Sequence, residues 1–423
     1  MSTLTRILRP RAAVSVATIS TLLALAAAPI QAQRGAAGSE GAPPDTLNDP
    51  VRLMVARLDL EKYKATIKGL TQFGDRRQGT ERNRKAVDWI EAQLKSYGCT
   101  PTERITYTYV TPPPRARGGA GGDSAGGRGR GRGNAAQGGG RIRGYRIQTG
   151  VNTDSLKQPD PRIRALDTEP AKDGERQEVF CTKVGSTHPE EMYIVGGHMD
   201  GHGWNEAAND DGSGTALVME VARVFSSPDV KTDRSIRFIL WNNEETGTNG
   251  ARAYIAQRDS LQGRENPPGS GKYPEPKWLG MIQHDMMMFD HGMPRPDGTM
   301  SPDQRPEADV NIEFQVTSKH AEGAQKLAWF FQTANEKYAT DYPARVGQHM
   351  TNTDSGPFQD LVPSISLREN ERGEQIGAGW DPQWHQPTDL YSTYNDKDFR
   401  LGLNAAQTTL AAVALLTGAK LVK

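Results

Sequence analysis

The chain has 423 residues, and Lys plus Arg and Asp plus Glu each total 51, so the formal net charge is zero. No global field draws it to nucleic acid or to a membrane surface. With 35% hydrophobic residues it can bury a core, which excludes a wholly disordered chain.

The first residues follow a targeting layout. Arg6, Arg9 and Arg11 precede the apolar run "AAVSVATISTLLALAAAP", which closes near the small-residue site "IQA" at Ile30–Ala32. This order predicts a signal peptide over 1–32, cleaved after Ala32, and an exported chain, periplasmic or secreted. The run is long for a signal, so an uncleaved anchor is the alternative. No later segment reads as a membrane span, so no membrane association is expected after cleavage. Residues 33–50 read as a flexible leader, followed by a single domain over 51–423.

Within that domain "VRLMVARLDLEKYKATIKGL" and "RNRKAVDWIEAQLKSYG" carry apolar residues at helical spacing, and Gly98 stands where a cap would stop the second helix. "TERITYTYV" alternates as a strand does. Residues 113–144 are Gly- and Arg-rich, with RG repeats that invite a nucleic-acid reading. Aromatic residues to stack on bases are missing from Arg115–Gly144, and export takes the chain away from most RNA. A disordered insertion between two strands is expected there, and no nucleic-acid partner. Salt-sensitive RNA binding that vanished on deleting it would reverse this reading.

From about residue 176 the pattern is regular. "RQEVFCTKVG", "EMYIVGGHMD", "RSIRFILWNNEE", "KWLGMIQHDMMM" and "VPSISLREN" read as strands. "GSGTALVMEVARVFSS", "ARAYIAQRDSL" and "KHAEGAQKLAWFFQTANEKYAT" read as the helices between them. Strands alternating with helices predict right-handed βαβ units: a three-layer α/β/α fold with a mostly parallel central sheet and helices on both faces. Cys99 and Cys181 fit no zinc pattern. They pair in an oxidising compartment or remain two buried thiols, and the sequence leaves both open.

In a parallel sheet the strands end on one edge, where ligands bind. His198 and Asp200 lie just past one predicted strand, Glu244 and Glu245 past the next, Asp285 ends a third, and His385 follows the last. So many carboxylates together are costly unless a cation balances them. Two His with several carboxylates and no thiolate suit zinc, or less specifically Mn or Co. "AANDDGSG" adds Asp210 on a tight turn at a helix start, where it can bridge two ions. Any one of these residues alone would more often be a solvated loop residue; the joint pattern is what counts.

HxD, then NDDGSG, a strand ending EE, a strand ending in D, and HxPxD: in this order the motifs resemble the M28 family of co-catalytic zinc peptidases. "RNRKAVDWIEAQLKSYG" is similar to that family's opening helix, and the resemblance runs from about Leu60 to Leu416. It implies that His198, Asp210, Glu245, Asp285 and His385 hold two zinc ions. His198 and Asp285 would serve one, Glu245 and His385 the other, with Asp210 bridging and Asp211 a turn residue. Asp200 would accept a hydrogen bond from the non-ligating nitrogen of His198. Glu244 would be the general base for the attacking water. Nothing in the family pattern asks for His202, which reads as a pocket-lining or solvated histidine.

The chain departs from the family at Gly201, where many members carry a hydroxyl residue. It departs again at "TNTDSGPF", which keeps Asp354 but has Ser355 where many have histidine. A tyrosine that stabilises the oxyanion in some relatives is missing, leaving His349 as the nearest possible oxyanion donor. The implied activity is a zinc exopeptidase, most often an aminopeptidase, acting on a peptide or small aminoacyl substrate. Carboxypeptidase specificity, a one-zinc acyltransferase like the glutaminyl cyclases, and a non-catalytic binding module on the same fold are the alternatives. Retention of Glu244 and all the ligands speaks against the last.

Overall fold

The computed structural model describes residues 48–113, 150–289, 310–350, 353–369 and 381–422. The predicted signal peptide, the leader up to residue 47 and nearly all of the Gly/Arg-rich insertion lie outside the described residues.

Three helices open the fold: α1 (Pro50–Val55), α2 (Leu60–Leu70) and α3 (Glu81–Ser96). Gly98 does stop α3. It adopts φ 82°, and the amides of Gly98 and Cys99 return to the carbonyls of Lys95 and Leu94. This left-handed turn satisfies the last carbonyls of the helix. It also delivers Cys99 to Cys181, and the two form a disulfide with Cα atoms 5.7 Å apart.

The elements that follow are β1 (Thr102–Tyr109), α4 (Pro161–Asp167), β2 (Gly174–Lys183), β3 (His188–His198), α5 (Gly212–Phe225), β4 (Val230–Lys231) and β5 (Arg234–Trp241). After them come α6 (Asn249–Arg258), β6 (Lys277–His284), β7 (Val310–Glu313), α7 (Ala321–Tyr338), β8 (Ala344–Gly347), β9 (Ser364–Arg368), α8 (Asp396–Leu416) and β10 (Lys420–Leu421). Eight strands make one sheet in the order β1-β2-β5-β3-β6-β9-β7-β8, while β4 and β10 form a separate pair. The centre, β5-β3-β6-β9, is parallel throughout. The edges turn: β1, β2 and β5 pair antiparallel, as do β7 and β9.

Strand alternation gives the sheet two apolar faces. On β5, Ile236, Phe238 and Leu240 join the larger core with α1, α2, α3, α5, α7 and α8, while Ile239 and Trp241 join a smaller one with Tyr254 of α6, Trp278 and Phe358. The three-layer, mostly parallel fold read from the sequence is thus observed. Helix α8 is 21 residues long, and its most apolar window is 72% buried, as befits a core helix.

Candidate metal centre

The four parallel strands end on one edge, and each delivers its residue there. His198 is the last residue of β3; Glu244 and Glu245 follow β5; Asp285 follows β6; His385 lies on the loop between β9 and α8. Asp210 reaches the same place because the start of α5 lies against the end of β3. A Cβ on Gly197 would stand 2.8 Å from the carbonyl carbon of Gly214, so this approach requires glycine.

The donor atoms fall into two groups. His198 Nε2 lies 3.3 Å from Asp210 Oδ1 and 3.9 Å from Asp285 Oδ1. His385 Nε2 lies 3.0 Å from Asp210 Oδ2 and 3.0 Å from Glu245 Oε2. Asp210 therefore points one oxygen into each group. His202 joins the second group, with Nε2 2.9 Å from Glu245 Oε2. Within His198/Asp210/Asp285, and likewise within His202/Glu245/His385, the ligand atoms all lie within 4.8 Å of one another.

Asp211 belongs to neither group. Its carboxylate accepts the amides of His198, Gly214 and Met286, so it caps α5 and ties together three elements.

Burial and mutual repulsion govern the charges. Glu244 is held well above the ordinary carboxylate range, first by burial and then by Glu245, Asp285 and Asp200, against the pull of His198. Burial works against both imidazoles, yet the carboxylates around them prevail: His198 is pushed well up and His385 to about 10. Asp210, despite its burial, is drawn well down by the two histidines that face it, and Glu245 to about 2 by His202 and His385. Protons thus sit where the lone pairs of His198 and His385 converge.

A divalent cation fits this set. Among the described residues, Asp210 Oδ2, Glu245 Oε1 and His202 Nε2 are buried without a hydrogen-bond partner. Such orphans are costly. A cation would satisfy them, replace the protons and return Glu244 to its ionised form. Nitrogen and carboxylate donors without thiolate are the set expected for zinc and its neighbours.

Comparison with known proteins agrees. The model of Peptidase family M28 matches residues 178–409, more than half of the chain. The chain belongs to peptidase family M28. Carboxypeptidase Q of Xenopus laevis is 37% identical over 71 residues, 17% of this chain and 15% of that protein. Aminopeptidase YwaD of Bacillus subtilis (strain 168) is 41% identical over 68 residues, 16% and 14% of the two lengths. These stretches span only about a seventh of the curated relatives. In structure the chain is similar to the aminopeptidase from Aneurinibacillus sp. strain AM-1, with TM-score 0.56 and 20% identity over 88% of this chain and 97% of that one. It is also similar to BSAP, a zinc aminopeptidase from Bacillus subtilis, with TM-score 0.54 and 16% identity over 85% and 95%. At these identities the likeness speaks to the fold.

Several features of this M28 chain differ from, or go beyond, the sequence reading. The acceptor for His198 Nδ1 is the main-chain oxygen of Asp200, at 2.9 Å, while the nearer carboxylate oxygen stands 3.9 Å away. That carboxylate instead accepts the amides of Glu244 and Glu245, because β5 ends directly beside it. A carbonyl can only accept, so Nδ1 carries the proton and Nε2 faces Asp210. Of the two readings of His202, the structure agrees with a pocket-lining histidine and not a solvated one: its side chain is 17% exposed and its Nε2 faces Glu245. His349 is exposed on the loop after β8, the far edge strand of the sheet, and no contact among the described residues brings it to the donor groups.

Other residues hold the site although the sequence reading assigned them no role there. Buried Arg76 donates to the carbonyls of Met199, Glu206 and Ala207, stapling the loop that carries Asp210. Asp389, the last residue of HxPxD, accepts the amides of Asn209 and Asp210; the motif was the available signal. Arg368, at the end of β9, makes a two-pronged ion pair with Asp285 at 3.1 and 2.6 Å. Asp354 is buried with neither carboxyl oxygen hydrogen-bonded, and burial and Glu244 keep it protonated well above its ordinary range.

Proposed function

We propose that this chain is an exported zinc aminopeptidase that hydrolyses the N-terminal bond of peptides or small aminoacyl substrates. In this reading residues 51–423 are one peptidase domain, and two zinc ions are held by His198, Asp210, Glu245, Asp285 and His385. The observation that carries it is Asp210, one oxygen in each donor group. Two groups joined through one carboxylate favour a two-ion hydrolase over a one-ion acyltransferase. When bound, the ions would polarise the scissile carbonyl and acidify water at the site.

The chain's own residues do the rest. Glu244 takes the proton of the attacking water and delivers it to the leaving amine. Asp200, through the two amides it accepts, sets the turn that aims Glu244 and Glu245 in different directions. Arg368 and the Asp200 carbonyl orient Asp285 and His198. The Cys99–Cys181 disulfide supports an oxidising compartment, and with the first 32 residues it supports a mature chain beginning near Gln33.

The test is an assay of purified protein against aminoacyl anilides, N-blocked peptides and an N-terminal glutaminyl peptide, before and after chelation and after zinc is restored. Release from free N-termini only, lost on chelation and recovered with two zinc ions per chain, is the expected result. Cleavage of N-blocked peptides from their C-terminus would reverse the polarity, and ring closure of glutamine with one zinc per chain would replace the hydrolase reading.

A further inference from the structure

The second donor group holds more side chains than the M28 motifs supply. We propose that His202 is an additional side-chain ligand of the ion held by Glu245, His385 and Asp210, so that this ion is enclosed by four protein donors while its neighbour has three. The inference rests on the metal-centre reading above and deepens it.

Spacing is the first argument. Donors about 2.0–2.1 Å from a tetrahedral zinc stand about 3.3 Å from one another. His202 Nε2 to Glu245 Oε2 is 2.9 Å, Glu245 Oε2 to His385 Nε2 is 3.0 Å, and His385 Nε2 to Asp210 Oδ2 is 3.0 Å. Four donors thus succeed one another at nearly that spacing.

The second argument is the His202 ring itself. Its Nε2 is buried and makes no hydrogen bond of acceptable geometry, even to the carboxylate beside it. The ring meets that of His385 edge to face, with centroids 4.1 Å apart and planes at 86°.

The backbone holds His202 there. Gly203, at φ 117°, lies where a Cβ would come within 2.6 Å of the His385 carbonyl oxygen, so only glycine lets the two loops meet. Asn205 Nδ2 then donates to the carbonyls of both His202 and Gln386, at 3.1 and 2.8 Å. Asn152 adds its amide to the His385 carbonyl and its side chain to that of Gly203. A histidine held so firmly has lost little further freedom when it binds.

An enclosed ion and an open one have different uses. A site with four side-chain ligands leaves little room for substrate, whereas three leave a position free.

The test loads full-length protein with Co(II) and counts imidazole ligands. Each imidazole bound through Nε2 gives one strongly shifted, solvent-exchangeable proton resonance from its Nδ1–H. Three are expected in the wild type, and two in both His202→Ala and His202→Gln. Competition with a chelator should show one ion bound at least ~100-fold more weakly in either variant and the other unchanged, beyond the ~10–100-fold range of lost outer hydrogen bonds. Two shifted resonances in folded wild type, with His202→Gln binding both ions normally, would overturn the proposal and leave His202 a hydrogen-bond partner of Glu245. Failure to bind two ions at all would overturn the metal-centre reading instead. Circular dichroism and melting of both variants separate lost folding from lost ligation.

Discussion

Among the described residues, two clusters of buried charge are neutralised in opposite ways. Under the smaller sheet face, Arg237 and Glu275 are both fully buried. The guanidinium donates to Glu275, Tyr254, Thr182 and the Pro274 carbonyl, and lies 4.3 Å from the Phe180 ring centroid. Glu275 also accepts the Tyr254 hydroxyl and the Trp278 indole. Among the described residues, none of the buried orphan atoms belongs to this cluster. At the strand ends, by contrast, carboxylates outnumber their partners and Asp210, Glu245 and His202 each bury an unpartnered atom. One cluster carries its cation as a side chain; the other has the form of a site for a cation supplied from solution. Of these two clusters, the one whose hydrogen bonds close is structural, and the one whose bonds stay open is the candidate site.

The largest effect should come from breaking the chemistry at the open cluster while leaving its metal ligands in place. Glu244→Gln is nearly isosteric and cannot accept a proton. Turnover should fall by about 10²–10⁴-fold, with zinc content and melting temperature close to wild type. Substrate binding should change much less, since the lost interaction belongs to the transition state. Near-normal turnover would sink Glu244 as the base, and loss of one zinc would mean that Glu244 and Glu245 exchange roles.

The closed cluster should respond in stability alone. Arg237→Met removes the cation and leaves Glu275 buried with no charge partner, a change that costs about 3–5 kcal/mol. Zinc affinity per folded molecule should be unchanged, because the cluster lies under the α6 face and touches none of the strand-end donors. Denaturant midpoints and metal titration read the two quantities separately. A stability loss under 1 kcal/mol would show that Glu275 takes a proton and survives unpaired.

The difference between the clusters was only half visible in the chain. His198, Glu245 and Asp285 stood out because each follows an apolar run and a parallel sheet forces such ends together, while Asp210 and His385 stood out through the NDDGSG and HxPxD motifs. His202 did not, because its placement depends on Gly203 passing the His385 loop, a contact 182 residues apart in sequence. Arg76 and Arg368 were missed for the same reason: a lone arginine has no period, and its partners are carbonyls and carboxylates from distant segments. Asp200 was placed beside His198 but given the wrong bond, since side chain and main chain compete for Nδ1 within an ångström. The antiparallel pairing of β1 with β2, and strands β7 and β8, also escaped, because alternation predicts a strand without naming its neighbour.

A third charged cluster, at the surface, sharpens the contrast and should give the smallest effect. Glu91 of α3 accepts from Thr102 and Arg104 of β1 and pairs with Lys95 one turn along its own helix. Partial burial works against its charge, but these partners prevail and hold it at about 2. An unfolded glutamate titrates near 4.3, so the pairing adds stability above that pH, and the gain fades as pH falls toward 2. The shift alone would correspond to about 3 kcal/mol. Water reaches this cluster, with Lys95 55% and Arg104 27% exposed, so screening should reduce it to about 1 kcal/mol. Glu91→Gln should therefore lower the urea midpoint modestly at neutral pH. Its gap from wild type should narrow as pH is lowered from about 5 toward 3, and at neutral pH as salt is added. A gap that ignored both salt and pH would mean that Glu91 stabilises by packing α3 against β1, and the gradient from closed to open to solvated charge would lose its outermost point.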